Sequence, residues 1–114
     1  MIRRIIAYKN NFAEFHKSQE EKVQRKIEFV LDFVRFEKQV PQKFFKHLQN
    51  TDEIYEVRVI TTFKSIRILC FFDGEDLIVL TNCFLKKSQK TPQKEIKMAE
   101  KLKREYITEK YGGK

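Results

Sequence analysis

Cationic side chains interrupt or directly follow the apolar stretches of this sequence, and they are its best candidates for a chemical role. Arg58 and Arg67 stand inside two apolar runs, and Lys86 and Lys87 follow a third. A guanidinium group suits a phosphate because its planar fork donates two parallel hydrogen bonds, whereas a lysine supplies a mobile point charge. We therefore expect these four residues to be the catalytic groups of a site for a phosphodiester.

RNA suits such a site because it carries its own nucleophile, the 2′-hydroxyl group. A protein that aligns this hydroxyl with the adjacent phosphate and stabilises the developing charge needs no metal ion. We expect no metal site, since His16 and His47 lie far apart, and no cofactor, since the sequence has no glycine-rich phosphate loop. Further phosphate contacts are expected from three lysines: Lys64, Lys90 and Lys94.

The pairing of the two arginine-bearing strands decides whether this site can exist. Side chains alternate between the two faces of a sheet, so a register that pairs 58 with 67 places both arginines on one face. A register that pairs 58 with 68 separates them and excludes the site. The alternative for Arg58 is a structural ion pair with Glu56, its neighbour on the same strand face.

The charge of the chain is concentrated near its C-terminus. The net charge is +8, and residues 86–114 alone contain ten Lys or Arg and four Glu, a net +6. Such a concentration indicates a surface that meets phosphates or an acidic protein, although a solvated, lysine-rich helix is the alternative. A general nucleic-acid-binding module that uses this helix is therefore a further possibility. Cys70 and Cys83 lie in apolar patterns, which predicts reduced core residues in a cytoplasmic protein without a membrane partner.

The N-terminal half is predicted to contain a strand at 3–8 and two helices. Asn10 or Asn11 is expected to cap the first helix, and Ser18 with Glu21 forms a capping-box pattern for the second. The second helix carries apolar residues at spacings of three and four, broadened by three phenylalanines. These residues are Val23, Ile27, Val30, Leu31 and Val34, with Phe29, Phe33 and Phe36.

The C-terminal half is predicted to contain three strands and a helix. One or two helical turns are expected at 41–48, then strands at 54–60, 66–72 and 77–85, with Asp73-Gly74 as a tight turn. Thr91-Pro92 is expected to begin the last helix, with Thr91 as its cap. This helix carries a narrower apolar stripe, formed by Ile96, Ala99, Leu102 and Tyr106. The predicted order is β-α-α-β-β-β-α. This is an α+β fold in which the N-terminal helices pack on one face of a small antiparallel or mixed sheet, as a single domain over residues 1–114.

The residues themselves resemble a known family. Phe84-Leu85-Lys86-Lys87-Ser88-Gln89-Lys90-Thr91-Pro92, followed by Glu95-Ile96 and Ala99, is similar to the phage-derived Gp49-like branch of the HigB toxins, within the RelE/ParE superfamily. The strands Tyr55-Glu56-Val57-Arg58 and Ile66-Arg67-Ile68-Leu69 support the resemblance. It implies a RelE-like fold and the toxin of a type II toxin–antitoxin system. It also implies a ribosome-dependent mRNA endoribonuclease and a HigA-like helix-turn-helix antitoxin as partner.

The resemblance also assigns residue roles. Arg67 matches the arginine that contacts the scissile phosphate, Arg58 falls near a second basic strand position, and Lys86 and Lys87 occupy a basic position after the last strand. Many relatives use a C-terminal tyrosine or histidine in stacking or proton transfer, for which Tyr106 and Tyr111 are the candidates here. A lysine can replace that group only if neighbouring cations lower its pKa. A ParE-like toxin that acts on gyrase, or a non-catalytic binding protein or regulator on the same scaffold, is the alternative function.

Overall fold

A computed structural model describes residues 1–112. The elements in chain order are β1 (Arg4–Ala7), α1 (Asn11–Ser18), α2 (Glu21–Phe36), β2 (Phe45–His47), β3 (Tyr55–Ile60), β4 (Ser65–Asp73), β5 (Leu77–Leu85) and α3 (Gln93–Tyr111). The strands form one sheet in the order β1-β5-β4-β3-β2, in which β1 lies parallel to β5 and the other neighbours are antiparallel. The fold is α+β, as the sequence predicts. Among the described residues, no helix combines the length and the apolar character needed to cross a membrane.

Both faces of the sheet are covered, and this explains the nearly continuous apolar sequence of β4 and β5. The apolar stripe of α2 is buried as predicted and packs on one face of the sheet together with α1. The opposite face packs against α3, whose predicted stripe is also buried. Successive residues of β4 alternate between these two layers, with Ile68 toward α2 and Leu69 toward α3. Both cysteines are free, and both belong to the α2 layer.

The predicted helical turns at 41–48 are wrong in their second half, because Phe45–His47 is an edge strand. It pairs antiparallel with β3, with Phe45 opposite Val57 and His47 opposite Tyr55. Backbone hydrogen bonds from Phe44 and Phe45 to the carbonyl oxygen of Pro41 make one turn before the strand begins. The ring of Phe45 then stacks on that of Tyr55 at 5.2 Å, so cross-strand aromatic packing selects the extended conformation.

Two predicted caps are also wrong. Ser18 is the last residue of α1 and donates to the carbonyl oxygen of Phe15, whereas the N-cap of α2 is Glu20. Thr91 does not cap α3, whose N-cap is Pro92; its hydroxyl group instead donates to the carboxylate of Glu56. Both hydroxyl groups therefore form tertiary or local contacts other than a cap.

Two of the phenylalanines assigned to the stripe of α2 lie outside the core. Phe29 and Phe36 are 61% and 56% exposed, whereas Phe33 is half-buried and packs edge-on against Phe44 at 5.2 Å. The apolar surface of α2 is thus wider than the part that the sheet covers. Exposed aromatic side chains remain available on its flank.

Candidate functional site

The strand register places the two candidate arginines directly opposite each other. Arg58 pairs with Arg67 across β3 and β4, and Arg67 in turn pairs with Phe84 of β5. The three side chains therefore share the face that packs against α3. This is the register that the two-arginine site requires.

The first turn of α3 does not cover the two arginines. The side chain of Asn82, at an irregularity between β4 and β5, donates to the carbonyl and carboxylate oxygens of Glu95 at 3.1 and 2.9 Å. This contact fixes the first turn of α3 over the middle of the sheet. The row that contains Arg58 and Arg67 is consequently bordered by the lysine-rich segment 86–92 and not by the helix.

A buried carboxylate joins the two arginines to that segment. Glu56 has no exposed surface, and its Oε1 atom lies 3.0 Å from Nε of Arg58 and 3.5 Å from Nε of Arg67. Its Oε2 atom accepts the hydrogen bond from Thr91, just before α3. One side chain thus orients both guanidinium groups and holds the end of the lysine-rich segment.

Arg67 is nearly buried but incompletely hydrogen bonded. Its side chain is 8% exposed, and its Nη1 atom donates to the carbonyl oxygen of Ile66 at 3.2 Å. Its Nε atom lies 3.5 Å from Oε1 of Glu56 as an ion pair but makes no hydrogen bond to any residue in 1–112. A guanidinium group with unused donors in a low-dielectric site favours an anionic ligand.

A shallow depression of about 430 Å³ opens at this arginine. Its lining combines Arg67 with Ser65 at the start of β4 and with the segment after β5, namely Lys86, Lys87, Ser88 and Gln89. Lys86 is half-buried and anchored by a 2.7 Å hydrogen bond from its backbone nitrogen to the carbonyl oxygen of Ser65. The depression therefore has a fixed cationic floor and a more exposed cationic rim.

Burial and mutual repulsion lower the pKa values of two cations here. Burial is the main cause for Arg67, where the attraction of Glu56 opposes the shift and the charge of Arg58 adds to it. Burial also lowers the pKa of Lys86, followed by the charge of Arg67; Glu56 again opposes, and Arg58 and Lys46 add to the shift. Neighbouring cations therefore contribute to the lowered pKa of Lys86, although burial is the larger cause.

Lys46 belongs to the same cationic face, although the sequence reasoning did not identify it. It lies opposite Glu56 in the pairing of β2 with β3. The residue was missed because 41–48 was predicted to be helical, and a helix gives no reason to align Lys46 with the arginines. The alternation in Phe45-Lys46-His47 spans too few residues to distinguish a strand from a helix.

The remaining predicted lysines differ in position. Lys87 lines the depression with an exposed side chain, and Lys90 and Lys94 are exposed in the segment before α3 and in its first turn. Lys64 points elsewhere: its ammonium group donates to the side chain of Gln19, in the connection between α1 and α2, at 2.8 Å. The structure thus brings Arg67, Lys86 and Lys87 into one depression, with Arg58 beside Arg67 through Glu56 but outside the lining. Lys64 lies outside the group.

Neither predicted tyrosine reaches the arginines. Tyr106 and Tyr111 donate to the carboxylate of Asp73, at the far end of β4. The imidazole rings contact carboxylates as well, His16 with Glu28 at 2.8 Å and His47 with Glu53 at 3.3 Å. In the part of the chain that is described, no group of three or more His, Cys, Asp or Glu side chains is arranged to hold a metal ion.

Comparison with known proteins places the chain in a family. Its residues 14–104 match the family model described as phage derived protein Gp49-like, and this span contains the end of α1, all of α2 and β2 to β5, and α3 as far as Arg104. A search of curated proteins gives no match. Since the matched span covers most of the sequence, the chain belongs to the Gp49-like phage-derived protein family, which is the HigB-like toxin family.

Proposed function

We propose that this protein is the toxin of a type II toxin–antitoxin pair and cleaves messenger RNA on the ribosome, with a HigA-like helix-turn-helix protein as its antitoxin. One observation carries the proposal. Arg67 is almost completely buried, its Nε atom makes no hydrogen bond within residues 1–112, and its side chain lines a depression whose other charged residues are lysines. This arrangement suits a phosphate of a bound RNA chain.

The proposed reaction uses the substrate's own nucleophile. The 2′-hydroxyl oxygen attacks the adjacent phosphorus and its proton passes to a water molecule, the bond from phosphorus to the 5′-oxygen breaks, and the products are a 2′,3′-cyclic phosphate and a 5′-hydroxyl. Arg67 and Arg58 stabilise the additional negative charge on the phosphate oxygens in the transition state. We assign Lys86 the transfer of a proton to the leaving 5′-oxygen, because an ammonium group with a lowered pKa is a stronger acid.

Glu56 is a positioning residue in this scheme. Its side chain has no exposed surface and both of its oxygens contact protein donors, so it does not reach the substrate to accept a proton. It balances one charge among Arg58, Arg67 and Lys86, which leaves the site net positive. The internal acid therefore orients the cations and does not neutralise them.

Expression of Arg67→Ala under a regulated promoter tests the proposal. We expect the wild type to arrest growth and to produce new RNA 5′-ends within coding regions, and the variant to do neither. Arg104→Ala is the matched control, since Arg104 is an exposed arginine of α3. Growth arrest and RNA cuts by a folded Arg67→Ala protein would contradict the proposal.

The ion pair between Arg58 and Glu56 favours the alternative function, a toxin that binds its target without cleaving RNA. In that case the arginine is a structural group, as an arginine beside a buried carboxylate commonly is. The same experiment separates the two functions. Altered DNA supercoiling without new RNA 5′-ends would indicate a gyrase-directed toxin.

A further inference from the structure

The edge of the sheet formed by β1 is open. β1 pairs on one side with β5, and no other strand within residues 1–112 lies on its second side. The backbone nitrogens of Arg4 and Tyr8 donate to carbonyl oxygens on the β5 side, at 2.8 and 2.9 Å. Because backbone groups alternate in direction along a strand, the N–H and C=O groups of Ile5 and Ala7 point away from the sheet. Such an edge is a template for pairing with another strand.

An exposed apolar side chain stands at the centre of this edge. Ile6 is 44% exposed. Its neighbour Ile5 packs in the α2 layer, whereas Tyr8 packs in the α3 layer. Side chains alternate along a strand, so Ile6 lies on the α3 face together with Arg4 and Tyr8. Arg4 is exposed as well, and its ion pair with Asp76 is 3.6 Å long.

The sequence of β1 is complementary to a second copy of itself about Ile6. When two β1 strands lie antiparallel with Ile6 opposite Ile6 of the second copy, Ile5 lies opposite Ala7. Their outward backbone groups then exchange two hydrogen bonds in each of the two equivalent pairs. The two Ile6 side chains meet in a non-hydrogen-bonded pair, in which the Cα atoms approach to about 4.5 Å. One register thus satisfies the open edge and buries its apolar side chain.

The same register brings opposite charges together. Arg4 lies opposite Tyr8 of the second copy, and the hydroxyl group of Tyr8 donates to Glu109 of α3 at 2.7 Å. Within residues 1–112, the carboxylates of Glu109 and Glu105 and the ammonium group of Lys9 lie around Tyr8. Arg4 therefore meets a surface with a net negative charge, once on each side of the two-fold axis.

The opposite edge of the sheet lacks this complementarity. β2 also pairs on one side, with β3, and by the same alternation its outward backbone groups belong to Phe45 and His47. The corresponding pairing of two β2 strands sets Lys46 against Lys46 of the second copy. Like charges directly opposite each other destabilise a sheet. β1 is therefore the edge that suits a second copy of this chain.

We propose that this protein forms a homodimer in which two β1 strands pair antiparallel about Ile6 and join the two five-stranded sheets. The assembly is closed, because both copies use the same edge. β1 pairs with the start of β5, whereas the lysine-rich segment follows its end, so the Arg67 depression stays open in the dimer. Since the paired ribbon is short, we expect a weak dimer that forms at high protein concentration.

Sedimentation of the whole protein at concentrations from about 10 µM to about 1 mM tests the proposal. We expect the wild type to shift from monomer toward dimer over this range. Ile6→Asp should remain a monomer, since two carboxylates would meet at the two-fold axis. Ile107→Asp is the matched control, because Ile107 is 41% exposed on α3, and this variant should dimerise like the wild type. A monomeric wild type, species larger than a dimer, or a dimer that survives Ile6→Asp would overturn the proposal.

A charge exchange tests the register. Arg4→Glu and Glu109→Arg should each weaken the dimer by about tenfold, because each variant places like charges across both ends of the ribbon. The double variant Arg4→Glu, Glu109→Arg should return to within about twofold of the wild type. A double variant that dimerises no better than either single variant would contradict the pairing of β1 about Ile6.

A cysteine at the two-fold axis gives a direct readout. A Cα separation of about 4.5 Å lies within the range of a disulfide, so Ile6→Cys should form a covalent dimer in oxidised glutathione. Ile107→Cys and the wild type, which retain Cys70 and Cys83, should stay monomeric on a non-reducing gel. A folded Ile6→Cys protein that forms no covalent dimer would overturn the proposal. None of these measurements depends on RNA cleavage, so failure of the proposed function would leave the dimer intact.

Discussion

The two ends of β4 carry charge clusters of opposite design on the same face of the sheet. At the Asp73 end, one carboxylate accepts hydrogen bonds from Tyr106, Tyr111 and Lys110 at 2.7, 2.5 and 2.7 Å. At the Arg67 end, two guanidinium groups share one carboxylate. The first cluster has more donors than its charge requires and fastens the end of α3 to the sheet. The second has fewer acceptors than its cations can use, which is a reason to expect an external anion.

The pKa values reflect the same difference. Hydrogen bonds from Lys110, Tyr111 and Tyr106 lower the pKa of Asp73 to about 2, because they stabilise its charged form. Burial lowers the pKa values of Arg67 and Lys86, because their charged forms lack full compensation. The protein thus stabilises the ion at one end and leaves the ions at the other end partly unsatisfied.

The largest effect is expected for Glu56→Gln, which removes the one carboxylate within residues 1–112 that contacts both arginines. The change leaves two poorly solvated guanidinium groups without a counterion, and we expect a loss of about 3 kcal/mol in the free energy of unfolding. Urea denaturation measures this loss. An unchanged stability would show that Glu56 does not organise the cluster.

Arg67→Lys keeps the charge but removes the planar fork. We expect the rate of RNA cleavage to fall by about 100-fold, since a lysine cannot donate two parallel hydrogen bonds to a phosphate. Single-turnover cleavage of ribosome-bound messenger RNA measures the rate, with Arg104→Lys as the control. Full activity of Arg67→Lys would mean that positive charge alone suffices at this position.

Asp73→Asn tests the opposite end through pH. The pKa of Asp73 lies below its unfolded value of about 3.8, so the carboxylate stabilises the fold above pH 4 and loses this contribution as the pH falls toward 2. We expect a contribution of about 1–2 kcal/mol, present in the wild type at neutral pH and missing in Asp73→Asn. Denaturation at several pH values should therefore show the free energies of unfolding of the wild type and of Asp73→Asn converging near pH 2. A difference in the free energy of unfolding between the two proteins that stays constant over this range would refute the assignment to Asp73.

Tyr111→Phe should have the smallest effect. It removes one of the three donors to Asp73 at the exposed end of α3, so a small decrease in the melting temperature is expected. RNA cleavage should be unchanged, because the Asp73 end takes no part in the proposed reaction. A large loss of cleavage in this variant would show that the Asp73 end of β4 affects the reaction at the Arg67 end. Tyr111 would then again be a candidate functional residue.

The fold was predictable where periodicity was strong. The buried stripes of α2 and α3 and the strands that became β3, β4 and β5 follow from alternating or helical spacing of apolar residues. The edge strand β2 was not predictable, because three residues carry too little periodicity and the stacking of Phe45 on Tyr55 is a tertiary effect. The caps at Ser18 and Thr91 failed for a related reason, since each hydroxyl found another acceptor.

The candidate site was only partly predictable. Arg58 and Arg67 could be named because a charge inside an apolar strand is unusual, but their shared face depended on a register that the sequence left open. Glu56 was foreseen only as a partner of Arg58, since its bridge to Arg67 and Thr91 joins three separate segments. Lys46 could not be found while its segment was assigned to a helix.

The most direct test of the account is single-turnover cleavage of messenger RNA on purified ribosomes by the wild type, Arg67→Ala and Arg104→Ala. We predict cleavage by the wild type and by Arg104→Ala, with a rate at least about 100-fold lower for Arg67→Ala. Cleavage by folded Arg67→Ala at the rate of the wild type would contradict the central claim that the buried arginine binds the reacting phosphate.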